Sequence, residues 1–138
     1  MEFRLGDYVM DVPPDTRMTP ASRMAPASAE HDARRWKLLI GSDTWFVALR
    51  PGGTLNDLKE DVFAQTRLEI VPDTVSINGI PGVRYAAEHE ELTRVAWHFL
   101  QGSDLITFNL FVKAYLTKAE VESRAGWMHS LRYSPAKG

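Results

Sequence analysis

The chain has 138 residues, of which 44% are hydrophobic and 10% aromatic, as expected for one globular domain with a single core. Sixteen basic and eighteen acidic residues give a formal charge of -2. Because both signs are mixed along the chain, we expect no nucleic-acid partner. Cysteine is absent, which excludes disulfides, thiolate metal sites and cysteine nucleophiles. No apolar run suits a signal peptide or a membrane span, so we expect a cytoplasmic protein without membrane insertion.

The first quarter of the chain divides into two parts. Residues 1–12 carry an apolar pattern interrupted at Gly6-Asp7, which predicts short strands around a tight turn. Residues 13–35 contain four prolines and no Leu, Ile, Phe, Tyr or Trp, which predicts a long loop within a single domain spanning 1–138. A near-perfect hexad repeat in this loop places an Arg-Met pair before each of two prolines. The pairs are Arg17-Met18 and Arg23-Met24.

A regular pattern begins at Trp36. The runs 36–40 and 44–49 are rich in β-forming residues, and the intervening Gly-Ser-Asp predicts a hairpin turn. Thr54 then supplies a helix N-cap, and apolar residues at helical spacing follow it. We therefore expect an amphipathic helix over 54–66 that lies on a sheet.

The second half of the chain predicts further strands and a closing helix. A strand over 68–77 leads into a turn at 78–82. Alternating apolar residues then indicate an antiparallel hairpin, with Val83 and Tyr85 in its first strand, Trp97 and Phe99 in its second, and a turn at 88–91. A second Gly-Ser-Asp turn precedes a strand over 105–112. A capping box at Thr117 starts a helix to about Tyr133. These elements predict an α+β fold with an antiparallel sheet of about six strands and helices packed on it.

A search for catalytic motifs finds none. The sequence contains no nucleophile elbow, no phosphate-binding loop and no dinucleotide fingerprint. The four histidines are scattered. The densest group of possible metal ligands, residues 88–91, is typical of a solubilising hairpin tip. We therefore expect no metal, no cofactor and no enzymatic activity.

Three apolar residues lie at strand positions that alternate with those of the main core, which we call the opposite parity. Phe46, Leu105 and Phe111 alternate with the principal apolar sets of their strands, so they point to the second face of the predicted sheet. If a helix covers that face, they are core residues. If it is open, they form a hydrophobic groove that Arg94 and His98 would border.

Residues 36–133 resemble the PsbP-like and Mog-like α/β/α sandwich superfamily, which includes DcrB-like bacterial proteins and the Eag chaperones of type VI secretion effectors. The resemblance lies in the order of the elements: the strand pair 36–49, the helix 54–66, the turn 77–85 and the terminal helix. It implies an α/β/α sandwich that binds proteins without catalysis. The loop 13–35 departs from the Eag pattern, and no Eag contact residue can be matched.

The first functional hypothesis is therefore a bacterial protein-binding module, either a chaperone or adaptor for a secreted effector or an immunity protein for a toxin. The alternative is a carrier of small hydrophobic ligands, with a pocket between the sheet and the loop 13–35. A third hypothesis is an enzyme that uses His98 as a general base. The predicted partner-binding residues combine the second face with the loop: Arg17, Met18, Arg23, Met24, Phe46, Arg94, His98, Leu105 and Phe111.

Overall fold

The computed structural model describes residues 1–20, 34–54, 73–89, 92–113 and 116–135. Most of these residues belong to one seven-stranded antiparallel sheet, the large sheet, with strand order β3-β4-β5-β9-β8-β7-β6. Its strands are β3 (Arg17–Pro20), β4 (Arg34–Ile40), β5 (Asp43–Pro51), β6 (Asp73–Ile77), β7 (Ile80–His89), β8 (Leu92–Gln101) and β9 (Asp104–Val112).

A small sheet and a closing helical segment pack against one face of the large sheet. The small sheet has the order β1-β2-β10, formed by β1 (Glu2–Leu5), β2 (Tyr8–Asp11) and β10 (Arg132–Tyr133). The helix α1 (Lys118–Arg124) and a 3₁₀ helix (Gly126–Ser130) precede β10. Apolar side chains from β1, β2 and the closing helical segment form the main core with alternate residues of the large sheet. They include Phe3, Tyr8, Trp45, Trp97, Phe108, Val121 and Leu131.

Short turns with local conformational requirements set the strand order. Asn78 and Gly79 join β6 to β7 with φ values of 49° and 81°, and a type I′ hairpin turn requires positive φ at both positions. The Asn78 side-chain amide also donates to the backbone oxygens of Leu131 and His129, at 2.8 and 3.2 Å. The turn is thereby attached to the closing segment.

The closing segment begins as predicted and ends differently. Thr117 and Glu120 form the predicted capping box, with reciprocal hydrogen bonds of 3.2 Å. The α-helix stops at Arg124, well before Tyr133, and Gly126 begins the 3₁₀ helix. Glycine favours α-helix poorly. After the 3₁₀ helix, Arg132 and Tyr133 pair with β2 as strand β10.

The predicted α+β architecture is wrong. The described residues form ten strands in two antiparallel sheets and one α-helix, so the fold is mostly β rather than a sheet layered with helices. The predicted loop 13–35 is also wrong in part, because Arg17–Pro20 form the edge strand β3 and residues 34 and 35 belong to β4. All four residues of β3 are exposed, so no apolar alternation revealed it, and an edge strand tolerates the terminal proline. The predicted helix 54–66 lies outside the described residues, apart from Thr54.

Candidate functional site

The candidate site is the face of the large sheet that points away from the small sheet, hereafter the second face. Directly paired residues of antiparallel strands share a face, so the register identifies its members. One row runs from Arg17 through Leu39, Thr44 and Phe111 to Arg94. The next row includes Lys37, Phe46, Asn109, Ala96 and Tyr85. The predicted parity of Phe46, Leu105 and Phe111 is therefore confirmed.

Two aromatic side chains form the apolar centre of the second face. Phe46 on β5 and Phe111 on β9 pack edge to face, with ring centroids 5.5 Å apart and an interplanar angle of 82°. Both side chains are half-buried. An edge-to-face pair is a favourable aromatic arrangement, so the two rings hold one another in place while part of each stays in contact with solvent.

Basic residues lie on both sides of this aromatic pair. Arg17, Arg35 and Lys37 lie toward the β3–β4 edge, and Arg94 lies on β8. Arg17 and Lys37 are exposed, and Arg35 and Arg94 are half-buried. In the described part of the chain, none of these four side chains forms an ion pair with a carboxylate.

Carboxylates are excluded from the same face. At the register positions of the second face, the described strands carry no Asp or Glu. The acidic residues of the large sheet, among them Asp43, Asp73 and Asp104, occupy the alternate positions. Two of these carboxylates form hydrogen bonds on the opposite side of the sheet. Asp43 accepts one from the Arg124 guanidinium at 2.6 Å, and Asp104 accepts one from the Tyr8 hydroxyl at 2.9 Å. We call the cluster of Arg17, Arg35, Lys37, Phe46, Arg94 and Phe111 the basic-aromatic patch.

The other end of the second face is closed to solvent. Tyr85, Ala96 and Leu105 form a separate buried cluster, against which Val83 and Leu100 pack. Leu105 is only 2% exposed. Its predicted role as a partner-contacting residue is therefore wrong, since a side chain in this position stabilises the fold and offers no surface to a partner.

His98 belongs to this buried end as well. Its ring is fully buried, with Nε2 3.0 Å from the Tyr85 hydroxyl and Nδ1 3.1 Å from the Thr107 hydroxyl. The Tyr85 ring also stacks on the imidazole, with an interplanar angle of 13°. The neutral imidazole has one donor and one acceptor, and both are engaged here.

Burial, together with the nearby guanidinium groups of Arg94 and Arg50, lowers the pKa of His98 to about 4. Desolvation disfavours the charged imidazolium, and two neighbouring positive charges disfavour it further. The ring is thus neutral at physiological pH. Predicted as a residue at the border of an open groove, His98 is instead an internal hydrogen-bonding group, which corrects that expectation.

The Arg-Met pairs of the predicted loop are not equivalent. Arg17 lies in the same row as Phe111, as expected for a residue that borders the second face. Met18, which is 37% exposed, has the opposite parity and pairs with the core residue Leu38. Arg23 and Met24 lie outside the described residues.

Acidic and histidine side chains do not gather elsewhere into a ligand set. Among the residues that the structure describes, no three His, Asp or Glu side chains form a group suited to a metal ion. Residues 90 and 91 of the acidic hairpin tip fall outside that set. No described helix has the length and apolar character needed to cross a membrane.

Four residues of the site or its surroundings were not predicted. Lys37 and Arg35 were not predicted as site residues, although strand alternation places them beside Phe46 and Ala48 once β4 pairs with β5. Tyr85 and Thr107 were also missed as partners of His98. The available signal was the register of two adjacent hairpins, which brings Thr107 opposite His98.

Similarity to known proteins informs only the fold of this chain. No protein-family model matches the sequence, and no curated protein is detectably similar to it. A crystal structure of a protein from Bacteroides thetaiotaomicron VPI-5482, at 1.50 Å resolution, superposes with a TM-score of 0.65 at 10% sequence identity. The match covers 99% of this chain and 49% of the other, so this chain spans about half the length of that protein. At this identity, the similarity shows a shared fold alone.

Proposed function

We propose that the protein is a non-enzymatic module that binds another polypeptide through the basic-aromatic patch. The observation that carries this proposal is the half-buried pair of Phe46 and Phe111, bordered on both sides by basic side chains. Binding surfaces of proteins commonly combine aromatic anchors with arginine. A cytoplasmic location is part of the proposal, because a chain without cysteine needs no oxidising compartment to form disulfides.

The buried histidine supports the non-enzymatic part of the proposal. A general base must reach a substrate proton, whereas both ring nitrogens of His98 are engaged by Tyr85 and Thr107 inside the fold. The alternative of a small-ligand carrier relied on a pocket against the loop 13–35. Residues 21–33 of that loop lie outside the described residues, and no observation on the described residues favours the carrier.

The experiment that tests the proposal selects binders from a display library of random peptides against the immobilised protein. Enriched peptides are then synthesised with a fluorescent label and titrated with protein, and anisotropy is measured. We expect Phe111→Asp to weaken binding by roughly a hundredfold, as for loss of a central anchor. Thermal unfolding of the variant checks that it is folded.

Met18→Asp is the matched control. It adds the same carboxylate to the same sheet, but at a position of opposite parity, so we expect it to leave peptide affinity unchanged. The proposal is refuted if no peptide is enriched over a blank surface. It is equally refuted if the enriched peptides bind a folded Phe111→Asp protein as tightly as the original.

A further inference from the structure

We infer that the polypeptide recognised by the basic-aromatic patch is an acidic segment, with an apolar side chain between carboxylates on both sides. This inference rests on the proposed function and adds the chemistry of the partner. Its basis is the distribution of charge on the second face: basic side chains flank Phe46 and Phe111, and no Asp or Glu occupies a register position on this face in the described strands.

The register gives the approximate spacing that a partner must satisfy. Lys37 on β4 is the direct cross-strand neighbour of Phe46, and Arg94 on β8 is that of Phe111. Strands β4 and β8 are separated by β5 and β9, so their backbones lie about 14 Å apart at the usual strand spacing. An extended segment of about five residues covers this distance. Carboxylates near its two ends would then face the two cations while a central apolar side chain contacts the rings.

The basic side chains on this patch have charge available for such a partner. In the described part of the chain, no carboxylate forms an ion pair with Lys37, Arg94, Arg17 or Arg35. This contrasts with Arg84, on the opposite side of the sheet, whose guanidinium is paired with both Asp73 and Glu122. Complementary potentials steer association and select partners, so the unneutralised cations favour an anionic segment over a neutral or basic one.

The aromatic geometry favours a polypeptide over a single-stranded nucleic acid. Nucleic-acid platforms present open ring faces on which bases stack. Phe46 and Phe111 instead pack against each other at 82°, and both are half-buried. This arrangement suits contact with an aliphatic or aromatic side chain. An oligonucleotide is therefore the competing ligand in the test.

The test uses the peptides enriched by selection against the whole protein, together with versions in which every Asp and Glu is replaced by Asn and Gln. We expect the enriched sequences to be rich in Asp and Glu around an apolar residue. Affinity should fall roughly tenfold in the amide versions, and it should also fall as salt screens the charges. Lys37→Glu in the protein should weaken binding by a similar factor. The matched control is Lys118→Glu, which makes the same charge change on α1, whose buried Val121 packs in the main core on the opposite side of the large sheet.

The outcomes separate this inference from the proposed function. If peptides bind through Phe111 but are neutral or basic, or if the amide versions and Lys37→Glu bind normally, only the acidic partner is refuted. If no peptide is enriched, both proposals fail. If labelled oligothymidylate binds more tightly than the acidic peptides and Lys37→Glu abolishes its binding, the patch is a nucleic-acid site and the inference is overturned.

Discussion

The buried His98 predicts a specific loss of stability in acid. Its pKa is about 4 in the folded protein, against 6.5 for an exposed histidine. Between these pH values the unfolded chain binds a proton that the folded chain does not, so acidification favours unfolding. The contribution is fully present above pH 6.5 and is lost as the pH falls toward 4. At 1.36 kcal/mol for each unit of difference in pKa, the loss between pH 7 and pH 4.5 is about 2 kcal/mol.

The assay is urea unfolding followed by tryptophan fluorescence at several pH values, with His98→Gln as the control. The glutamine amide keeps a donor and an acceptor beside Tyr85 and Thr107 but does not titrate. Carboxylates with lowered pKa values, such as Asp73 beside Arg84, titrate in both proteins and cancel in the comparison. We expect the original protein to lose about 2 kcal/mol more than the variant over this range. If both proteins lose the same free energy of unfolding over this range, the conclusion that His98 is buried and neutral in the folded protein is refuted.

Two further substitutions test local packing and helix capping by the same unfolding assay. A Cβ at Gly82 would lie 2.5 Å from the His98 carbonyl oxygen and 2.6 Å from the Phe99 ring, so Gly82→Ala should destabilise by about 2 kcal/mol. At Gly126 a Cβ meets nothing within 4 Å. Gly126→Ala should therefore be neutral or stabilising, and a similar loss at both glycines would contradict the close approach of β7 and β8. Thr117→Ala should cost about 1 kcal/mol because it removes the N-cap acceptor of α1, whereas Thr117→Ser should retain stability. Equal effects of alanine and serine would exclude the capping role.

The features that could be predicted from sequence are those specified by a few adjacent residues. The Gly6-Asp7 turn and the capping box at Thr117 were identified correctly because their chemistry is local. The turn predicted over 78–82 is confirmed only at Asn78-Gly79, since residues 80–82 belong to β7. Edge strand β3 could not be found in this way. Its residues are all exposed, so they show no alternation of apolar and polar side chains. They adopt a strand because they pair with β4, and a local sequence pattern does not report that pairing.

The composition of the second face was harder to predict because it depends on register. In an antiparallel pair, the residue numbers of facing residues have a constant sum, and for β7 and β8 that sum is odd. Tyr85 therefore faces an even-numbered residue, Ala96, while the odd-numbered Trp97 points into the main core. The apolar sets of the two strands lie on opposite faces. Alternation within each strand does not reveal this offset between the strands, so the partner of His98 could not be identified from the sequence.

The distribution of charge follows from the same alternation. Consecutive residues of a strand point to opposite faces, so acidic and basic residues that are mixed in sequence can be separated completely in a sheet. Here a chain of net charge -2 has basic side chains such as Lys37 and Arg94 on the second face, with Asp43 and Asp104 on the other. Net charge therefore sets no limit on the charge of one sheet face. The expectation of no nucleic-acid partner was drawn from the average charge, whereas the acidic polypeptide that we propose for the basic-aromatic patch is drawn from the charge of one face and from the packing of its two rings.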